Sequence, residues 1–264
     1  MDMLTSPDNP AVRRLRLLAQ DAAERRREGR AVAEGPHLAR EALASGLARR
    51  LWATEAALDT TEGKAILAQA HAKGLAPRLL GEPLFARLSD TPAPQGWLVE
   101  VDTAAPAPLP SDTLLLALDA VQDPGNLGTL LRSAWAAGAS MILGKGCADA
   151  WSPKVLRAGA GAQFHLRLAL AEELSAALRE LAGRGVRVYG TGPRAKAGYL
   201  EADCRQAHCW VLGSEGRGLS PEAEAACGGL YRISYPGSAE SLNAAVSGAV
   251  LLFEALRQRS LKMP

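Results

Sequence analysis

Three loops rich in glycine and polar residues hold the side chains of this sequence that are best suited to chemistry. Each loop follows a stretch with the pattern of a strand, and the loops span residues 119–132, 212–219 and 233–243. In an open α/β sheet, ligands bind in the loops at the carboxyl ends of the strands. Three polar loops that converge there would form a site for a polar small molecule.

Each loop also has a purely structural interpretation. Residues 123–126 (Asp-Pro-Gly-Asn) form a good turn sequence, and propensity alone favours Asn126 as a helix cap. The segment 213–218 fits a simple turn, and Ser241 and Asn243 fit the cap of the final helix. None of the loops matches the glycine fingerprint of dinucleotide-binding proteins.

Hydrophobic patterning places the loops within an α/β arrangement. Thr113–Leu118 is a continuous apolar run, as expected of a strand buried on both faces. We expect further strands at 141–143, 164–169, 186–191, 210–212 and 230–233, and helices at 127–137, 153–158 and 171–182. The final helix is predicted over 242–258, with one apolar face formed by Leu242, Val246, Val250, Phe253 and Leu256.

The first hundred residues alternate between strand and helix patterns. An amphipathic helix is predicted over 9–30, followed by a strand at 31–35 and a helix that begins at Pro36 and ends at Gly46. Strands are then expected at 49–54, 77–80 and 96–101, and helices at 61–73 and 82–88. This alternation predicts a small α/β layer domain.

A proline-rich stretch separates the two halves. Prolines at alternate positions in 103–112 favour an extended spacer. We therefore expect an N-terminal domain at 1–102, a linker at 103–112 and a second domain at 113–264.

Composition narrows the class of protein. The 264 residues carry a formal net charge of +2, with 48% hydrophobic and 22% charged residues, as in ordinary soluble proteins. Four cysteines are too few for a disulfide framework, so we interpret them as thiols. No apolar run is long enough for a membrane span, and no signal peptide is expected. The sequence favours a cytoplasmic protein that needs no metal.

Arginines crowd the first thirty positions. Their planar guanidinium groups bind phosphate in a bidentate way. Interleaved Glu24 and Glu28 support a solvated helix face equally well. The candidate phosphate contacts to a nucleic acid are Arg13, Arg14 and Arg26, with Lys154 and Arg157 from a later glycine-rich turn.

Taken together, the three loops resemble the signature of the SpoU (TrmH-like) RNA ribose methyltransferases of the SPOUT superfamily. The resemblance rests on Asn126 through Arg132, Gly-Ser-Glu-Gly at 213–216 and Glu-Ser-Leu-Asn at 240–243, in that order. Residues 6–10 through the strand at 31–35 also resemble the L30e-like substrate-binding extension of ribosomal-RNA members.

This resemblance implies a fold and an activity. The fold is a SPOUT domain with a deep trefoil knot on a mainly parallel sheet, preceded by a smaller L30e-like α/β domain. The activity is transfer of a methyl group from S-adenosylmethionine to a ribose 2′-hydroxyl of structured RNA, with 23S ribosomal RNA favoured over transfer RNA. Members work as homodimers through the knotted domain.

The resemblance also implies residue roles. Arg132 matches the catalytic arginine, and stabilising an oxyanion or a phosphate suits it better than acting as a base, because its pKa lies far above neutral. The other catalytic positions are Asn126, Glu215, Ser241 and Asn243. The donor site is implied at Thr191, Gly192, Gly213, Ser214, Gly216, Ile233 and Leu242.

Two other classes compete with this interpretation. An inactive RNA-binding or ribosome-assembly factor would share the fold, although the intact motif residues argue against it. A nucleotide-dependent oxidoreductase would need a phosphate-cradling glycine fingerprint, which the sequence lacks.

Overall fold

The computed structural model describes residues 3–103, 108–110, 112–235, 237 and 241–260. Its helices are α1 Pro10–Gln20, α2 Ala22–Glu28, α3 Pro36–Ser45, α4 Glu55–Asp59, α5 Thr61–His71, α6 Glu82–Leu88, α7 Pro124–Ala136, α8 Pro153–Ala158, α9 Leu174–Gly183, α10 Pro221–Ala225 and α11 Ala244–Ser260. Its strands are β1 Arg30–Glu34, β2 Ala48–Ala53, β3 Arg78–Leu79, β4 Trp97–Asp102, β5 Leu114–Asp119, β6 Ser140–Gly144, β7 Leu168–Ala171, β8 Arg187–Thr191, β9 Ala197–Gly198, β10 His208–Gly213 and β11 Gly229–Arg232.

The described chain divides into two compact units. The first contains residues 3–103 together with Asp149–His165, and the second contains the described residues of 108–148 and 166–260. Helix α8 therefore packs in the first unit, although along the chain it lies between β6 and β7, which belong to the second unit.

The first unit is built on a four-stranded sheet with the order β1-β4-β2-β3. Strand β4 runs antiparallel to β1 and β2, and β3 runs parallel to β2. Alternate residues of β1 face opposite cores: Val32 packs with residues of α1 and α6, whereas Ala31 and Ala33 pack with residues of α3 and α5. Both faces of the sheet are thus covered, as the predicted α/β layer requires.

The predicted helix over 9–30 is wrong in one respect, because it breaks at Asp21. The backbone of Asp21 is extended (φ −112°, ψ 116°), and its carboxylate accepts hydrogen bonds from the amides of Ala23 and Glu24. Asp21 thereby ends α1 and caps α2. Aspartate is a strong helix cap, and here that preference outweighs the continuous helical periodicity.

The inserted segment 149–165 is fastened to the first unit by a buried guanidinium. Arg25 is 5% exposed, and its Nε donates to Asp149 Oδ2 at 2.7 Å. Its Nη1 donates to the carbonyls of Leu18 at 2.8 Å and Ala19 at 3.1 Å. Leu156 and Phe164 of the segment complete the core beneath α3.

His165 corrects a second expectation. The sequence predicted a strand at 164–169, which would include this residue. Instead, residues 162–164 form a single 3₁₀ turn and the strand begins at Leu168. The ring of His165 lies outside the core, 2.8 Å from Glu41 Oε2.

The second unit contains a seven-stranded sheet with the order β7-β6-β5-β10-β8-β11-β9. Every neighbouring pair is parallel, which confirms the predicted α/β class. Strands β5, β6 and β10 are buried along nearly their whole length, because helices cover both faces. Pro236 and residues 238–240 lie outside the described residues, and the knot expected in this half of the chain stays a prediction.

Helix α11 packs on α7 with a face other than the apolar one that the sequence singled out. Its buried residues are Ala244, Ala245, Gly248, Leu251, Leu252, Glu254 and Ala255. A Cβ on Gly248 would lie 2.2 Å from Leu130 Cδ2, so glycine permits this close approach. Val246 and Phe253 instead remain 50% and 51% exposed. Among the described helices, none has the length and apolar character needed to cross a bilayer.

A buried histidine makes the stability of this unit depend on pH. The ring of His208 at the start of β10 is fully buried beside Tyr189 and Trp210, and burial lowers its pKa to about 4. In the unfolded chain its pKa is about 6.5. Between pH 4 and pH 6.5, His208 therefore binds a proton more readily in the unfolded state than in the folded state.

We expect the free energy of unfolding to fall as the pH drops from about 6.5 towards 4, by up to about 1.4 kcal/mol per pH unit from this residue. Urea unfolding at several pH values, with His208→Gln beside the wild type, measures the effect. His71→Gln, at an exposed position on α5, is the matched control and should keep the wild-type slope. A wild-type slope in His208→Gln would contradict this assignment.

Candidate functional site

A chain of side-chain hydrogen bonds joins the three loops. Asn126 Nδ2 donates to Glu215 Oε1 at 2.7 Å, and Asn243 Nδ2 donates to Asn126 Oδ1 at 2.8 Å. Asn243 Oδ1 in turn accepts from the backbone amides of Ala245 at 2.8 Å and Val246 at 3.2 Å. One polar residue from each sequence motif therefore takes part in one continuous network, which we call the Glu215–Asn126–Asn243 chain.

Asp123, and not Asn126, caps helix α7. The side chain of Asp123 accepts a hydrogen bond from the backbone N–H of Asn126 at 2.7 Å, and Pro124 occupies the first helical position. The propensity-based interpretation of Asn126 as a cap is therefore wrong. The side-chain amide of Asn126 instead bridges the other two loops. An Asp-Pro pair at a helix start is the signal that identifies the true cap.

The loop that carries Glu215 closes tightly on itself. Ser214 N donates to Gly218 O at 3.0 Å, and Gly218 N donates to Ser214 O at 2.9 Å. A Cβ on Gly213 would lie 2.0 Å from the carbonyl carbon of Gly218, so only glycine fits there. Asp119 Oδ2 accepts from Ser220 N at 2.7 Å, which ties the end of this loop to the end of β5. Sequence reasoning did not single out Asp119.

The Glu215–Asn126–Asn243 chain lies where the strand order reverses. Strands β5 and β10 are neighbours in the sheet. The next strand along the chain after β5 is β6, which lies on one side of this pair, whereas the next strand after β10 is β11, which lies on the other side. Asn126 follows β5 and Glu215 follows β10, and these two strands are neighbours. Such a switch point opens a crevice at the carboxyl edge of a parallel sheet, the usual ligand position in this architecture.

Residues implied for the donor site lie at the ends of the adjacent strands β10, β8 and β11. Thr191 Oγ1 donates to Val211 O at 2.9 Å, and Gly192 N donates to Tyr231 O at 3.0 Å. No atom lies within 4 Å of the position that a Cβ of Gly192 would take, so its backbone is open to a ligand. Ile233 follows β11 directly.

The third loop is described only in part. Ser241 and Leu242 directly precede Asn243 and α11, with Ser241 exposed and Leu242 half-buried. Glu240, the first residue of the third motif (Glu-Ser-Leu-Asn at 240–243), lies outside the described residues.

Arg132 is not part of the Glu215–Asn126–Asn243 chain. It lies six residues beyond Asn126 on α7, which separates the two side chains by about 120° around the helix axis. Its side chain is exposed and makes no ion pair or hydrogen bond with the described residues. Hydrogen bonds within the described chain therefore join Asn126, Glu215 and Asn243, but not Arg132.

The candidate RNA contacts divide into two groups. Arg13 pairs with Asp8, Arg14 pairs with Glu28 and Glu100, and Arg157 pairs with Asp90, so these charges are neutralised within the chain. Arg26 and Lys154 are exposed and have no ion-pair partner among the described residues.

The chemistry available at this site is that of amides, one carboxylate and backbone groups. Among the described residues, no group of three His, Cys, Asp or Glu side chains is placed to hold a metal ion. Burial raises the pKa of the Cys147 and Cys204 thiols to about 11, so both stay protonated near neutral pH.

Comparison with known proteins identifies the family. The family model described as "SpoU rRNA Methylase family" matches residues 113–253, more than half of the chain. A second model, "MRM3-like substrate binding domain", matches residues 9–99.

Two curated relatives match over nearly the whole chain. A protein of Synechocystis described as a tRNA/rRNA methyltransferase is 34% identical over 97% of this chain and 94% of its own length. The 23S rRNA (guanosine(2553)-2′-O)-methyltransferase RlmP of Bacillus subtilis is 35% identical over 87% of this chain and 90% of its own length.

Solved structures agree with these matches. An RNA 2′-O ribose methyltransferase is 32% identical with a TM-score of 0.82, and the match covers 98% of this chain and all of the other. An AdoMet-bound rRNA methyltransferase from Sinorhizobium meliloti is 29% identical with a TM-score of 0.81, covering 97% of each chain. The first family model covers all three motif loops, which meet at the carboxyl edge of a parallel sheet, and the chain belongs to the SpoU rRNA methylase family.

Proposed function

We propose that this protein transfers a methyl group from S-adenosylmethionine to a ribose 2′-hydroxyl of ribosomal RNA. The observation that carries the proposal is the Glu215–Asn126–Asn243 chain, which holds a carboxylate and two amides at the switch point of the sheet. Ribosomal RNA is favoured over transfer RNA by the rRNA methylase family model matched at 113–253 and by the relative RlmP. We place this activity in the cytoplasm, where its substrate is made.

The loops beside the Glu215–Asn126–Asn243 chain fit the methyl donor. Gly192 offers an uncovered backbone, and Gly213 draws the loop after β10 back towards the sheet. Thr191, Ile233 and Leu242 complete a set that binds largely through backbone groups, as suits a ligand at the carboxyl edge of a parallel sheet. When bound, S-adenosylmethionine supplies a sulfonium methyl group that a nucleophile can attack.

The motif residues then orient the attacking hydroxyl. Asn126 occupies one carboxylate oxygen of Glu215, and the other oxygen makes no hydrogen bond with the described residues. That oxygen is available to accept a hydrogen bond from the ribose 2′-hydroxyl, and Ser241 adds a hydroxyl on the same loop as Asn243. A fixed set of donors and acceptors lowers the barrier because it needs no reorganisation as charge develops.

Arg132 fits a site that two protomers share. A guanidinium stabilises the negative charge that develops on the ribose oxygen, but Arg132 lies about 120° around α7 from Asn126 of its own chain. Helix α11, which packs on α7, exposes Val246 and Phe253 seven residues apart on one face. We propose that this face forms a homodimer interface, so that Arg132 reaches the site of the partner.

The activity itself is tested with S-adenosylmethionine labelled in its methyl group. We expect label to enter ribosomal RNA from cells that lack the protein, and to survive alkaline hydrolysis in dinucleotides, because a 2′-O-methyl group blocks cleavage at that ribose. Transfer RNA from the same cells is the comparison substrate. Alkali-stable label in neither RNA would refute the proposal.

Two glycines give a matched pair of variants for donor binding. Gly213→Ala forces a Cβ against the backbone of Gly218, whereas Gly183→Ala, at the end of α9, places its Cβ where no atom lies within 4 Å. We expect Gly213→Ala to raise the Kd for S-adenosylmethionine at least about tenfold, equal to about 1.4 kcal/mol. Calorimetric titration measures both variants. Equal affinities for the two would contradict the role given to the Gly213 loop.

Mixed dimers test the shared site. Arg132→Ala should abolish methyl transfer while leaving donor binding intact, and Asn126→Ala should abolish transfer as well. When the two variants are co-expressed with different tags and the heterodimer is purified, one of its two sites regains both residues. We expect up to half of the wild-type activity to return.

The control for this experiment pairs Asn126→Ala with Glu215→Ala, because Asn126 and Glu215 are hydrogen-bonded within one chain. Both changes act in the site of their own chain, so this heterodimer has no intact site and should stay inactive. An inactive Arg132→Ala/Asn126→Ala heterodimer would mean that Arg132 serves its own protomer or has a structural role.

A further inference from the structure

A groove runs between α1 and α6 in the first unit. Its narrower part, of about 80 Å³, is lined by Pro7, Val12, Arg16, Leu84, Arg87 and Leu88. Its wider part, of about 130 Å³, shares Arg87 and Leu88 and continues past Ala19 and Gln20 to Glu34. We call the whole depression the α1–α6 groove.

The two arginines of this groove differ from most arginines around them. Arg13, Arg14, Arg25 and Arg30 pair with carboxylates of the same unit. Arg16 and Arg87 form no ion pair with the described residues, and Arg16 donates only to the Pro7 carbonyl at 3.4 Å. They lie on opposite walls, one on each helix, and neither guanidinium has a carboxylate partner among the described residues, although Glu34 and Asp90 also line the wider part.

The wider part combines an apolar floor with a buried acceptor. Val32 and Leu98 form the floor and are 2% and 3% exposed. Glu34 is 7% exposed, and its Oε1 accepts from Thr91 Oγ1 at 2.7 Å and from Ser89 Oγ. Its Oε2 is ion-paired with Arg157 Nη1 at 3.7 Å and accepts no hydrogen bond from the described residues. A carboxylate oxygen in this state can still accept a hydrogen bond from a ligand that donates an N–H group.

The volume limits what this part can hold. A cavity of about 150 Å³ accepts one benzene ring, so about 130 Å³ suits a single six-membered ring. A flat ring with an N–H donor at its edge, attached to phosphates, is an unpaired pyrimidine nucleotide. Exposed bases of single-stranded RNA are recognised in this way, by apolar contact and by hydrogen bonds to their edges.

We propose that the α1–α6 groove binds an unpaired pyrimidine nucleotide of the RNA substrate. The base lies on Val32 and Leu98 and donates to Glu34, while Arg16 and Arg87 contact the flanking phosphates. This inference rests on the proposed function, because it names how the substrate of that activity is held. It also gives the first unit a surface that contacts RNA phosphates. Arg13 and Arg14 do not provide one, because their charges are paired with carboxylates.

The phosphate contacts are tested by the double variant Arg16→Ala/Arg87→Ala. Filter binding to the ribosomal RNA substrate at several salt concentrations should show weaker binding, and a slope of log K against log salt reduced by about 0.7 for each lost contact. The control is Arg13→Ala/Arg40→Ala, which removes the same charge from exposed positions that are paired with Asp8 and Glu62. Equal effects of the two double variants, or no effect of the first, would overturn the proposal.

The base pocket is tested by filling it without changing charge. Ala19→Leu adds volume on the pocket wall, and Ala23→Leu makes the same change at an exposed position of α2. We expect Ala19→Leu to raise the KM for RNA at least about tenfold, with kcat and the salt slope unchanged, and Ala23→Leu to behave as the wild type. Thermal unfolding checks that both variants fold. An unchanged KM in folded Ala19→Leu would overturn the base pocket.

The methylation assay with the wild type distinguishes failure of this inference from failure of the proposed methyltransferase function. If the wild type methylates ribosomal RNA but the groove variants bind and react as the wild type does, only the groove proposal fails. If the wild type methylates no RNA, the proposed function fails.

Discussion

Two hydrogen bonds through the side chain of Asn126 hold together parts of the chain that lie far apart in sequence. Glu215 and Asn243 stand 89 and 117 residues beyond Asn126, yet each contacts one end of its amide. The contacts are solvent-exposed, so each adds only about 1 kcal/mol or less to stability. Their role is therefore to fix the relative positions of functional groups, and the stability must come from elsewhere.

That stability comes from tight backbone packing directly behind the Glu215–Asn126–Asn243 chain. Gly213 lets the Glu215 loop fold back on itself, and Gly248 lets α11 approach α7. Asp119 and Asp123 satisfy backbone amides at the ends of β5 and at the start of α7. Gly248 is buried and the Asp119 contact is part-buried, whereas the hydrogen bonds of the Asn126 side chain are exposed, so the side-chain amides of Asn126 and Asn243 stay accessible.

Local patterns in the sequence predicted most of the elements, because the buried strands of the second unit are continuous apolar runs and most helices carry a clear cap. Prediction failed where a tertiary contact decides the outcome. The face of α11 with the most large apolar residues is not the face that packs inside the chain, since Gly248 brings the small-residue face against α7. The segment 149–165 joins the first unit through Arg25 and Asp149, a pairing over 124 residues that no local pattern reveals. Motif resemblance named the residues of the candidate site, but only the structure shows that Asn126 bridges while Asp123 caps.

The first unit shows why counting charges along a sequence misleads. The arginine-rich N-terminus looks like a basic arm, but most of its guanidinium groups are paired with nearby carboxylates. The unpaired cations Arg16 and Arg87 become neighbours only when α1 and α6 pack together. The surface available to a polyanion is thus set by tertiary structure.

The most direct test of the central claim is the single-turnover rate of methyl transfer by Asn126→Asp, which keeps the shape of the side chain and its ability to accept from Asn243. It removes the hydrogen bond donated to Glu215 and sets two carboxylates against each other. The account predicts that the rate falls by about 10²-fold or more, with the fold and donor binding retained. A rate within about twofold of the wild type, which corresponds to less than about 0.5 kcal/mol in the barrier, would contradict it.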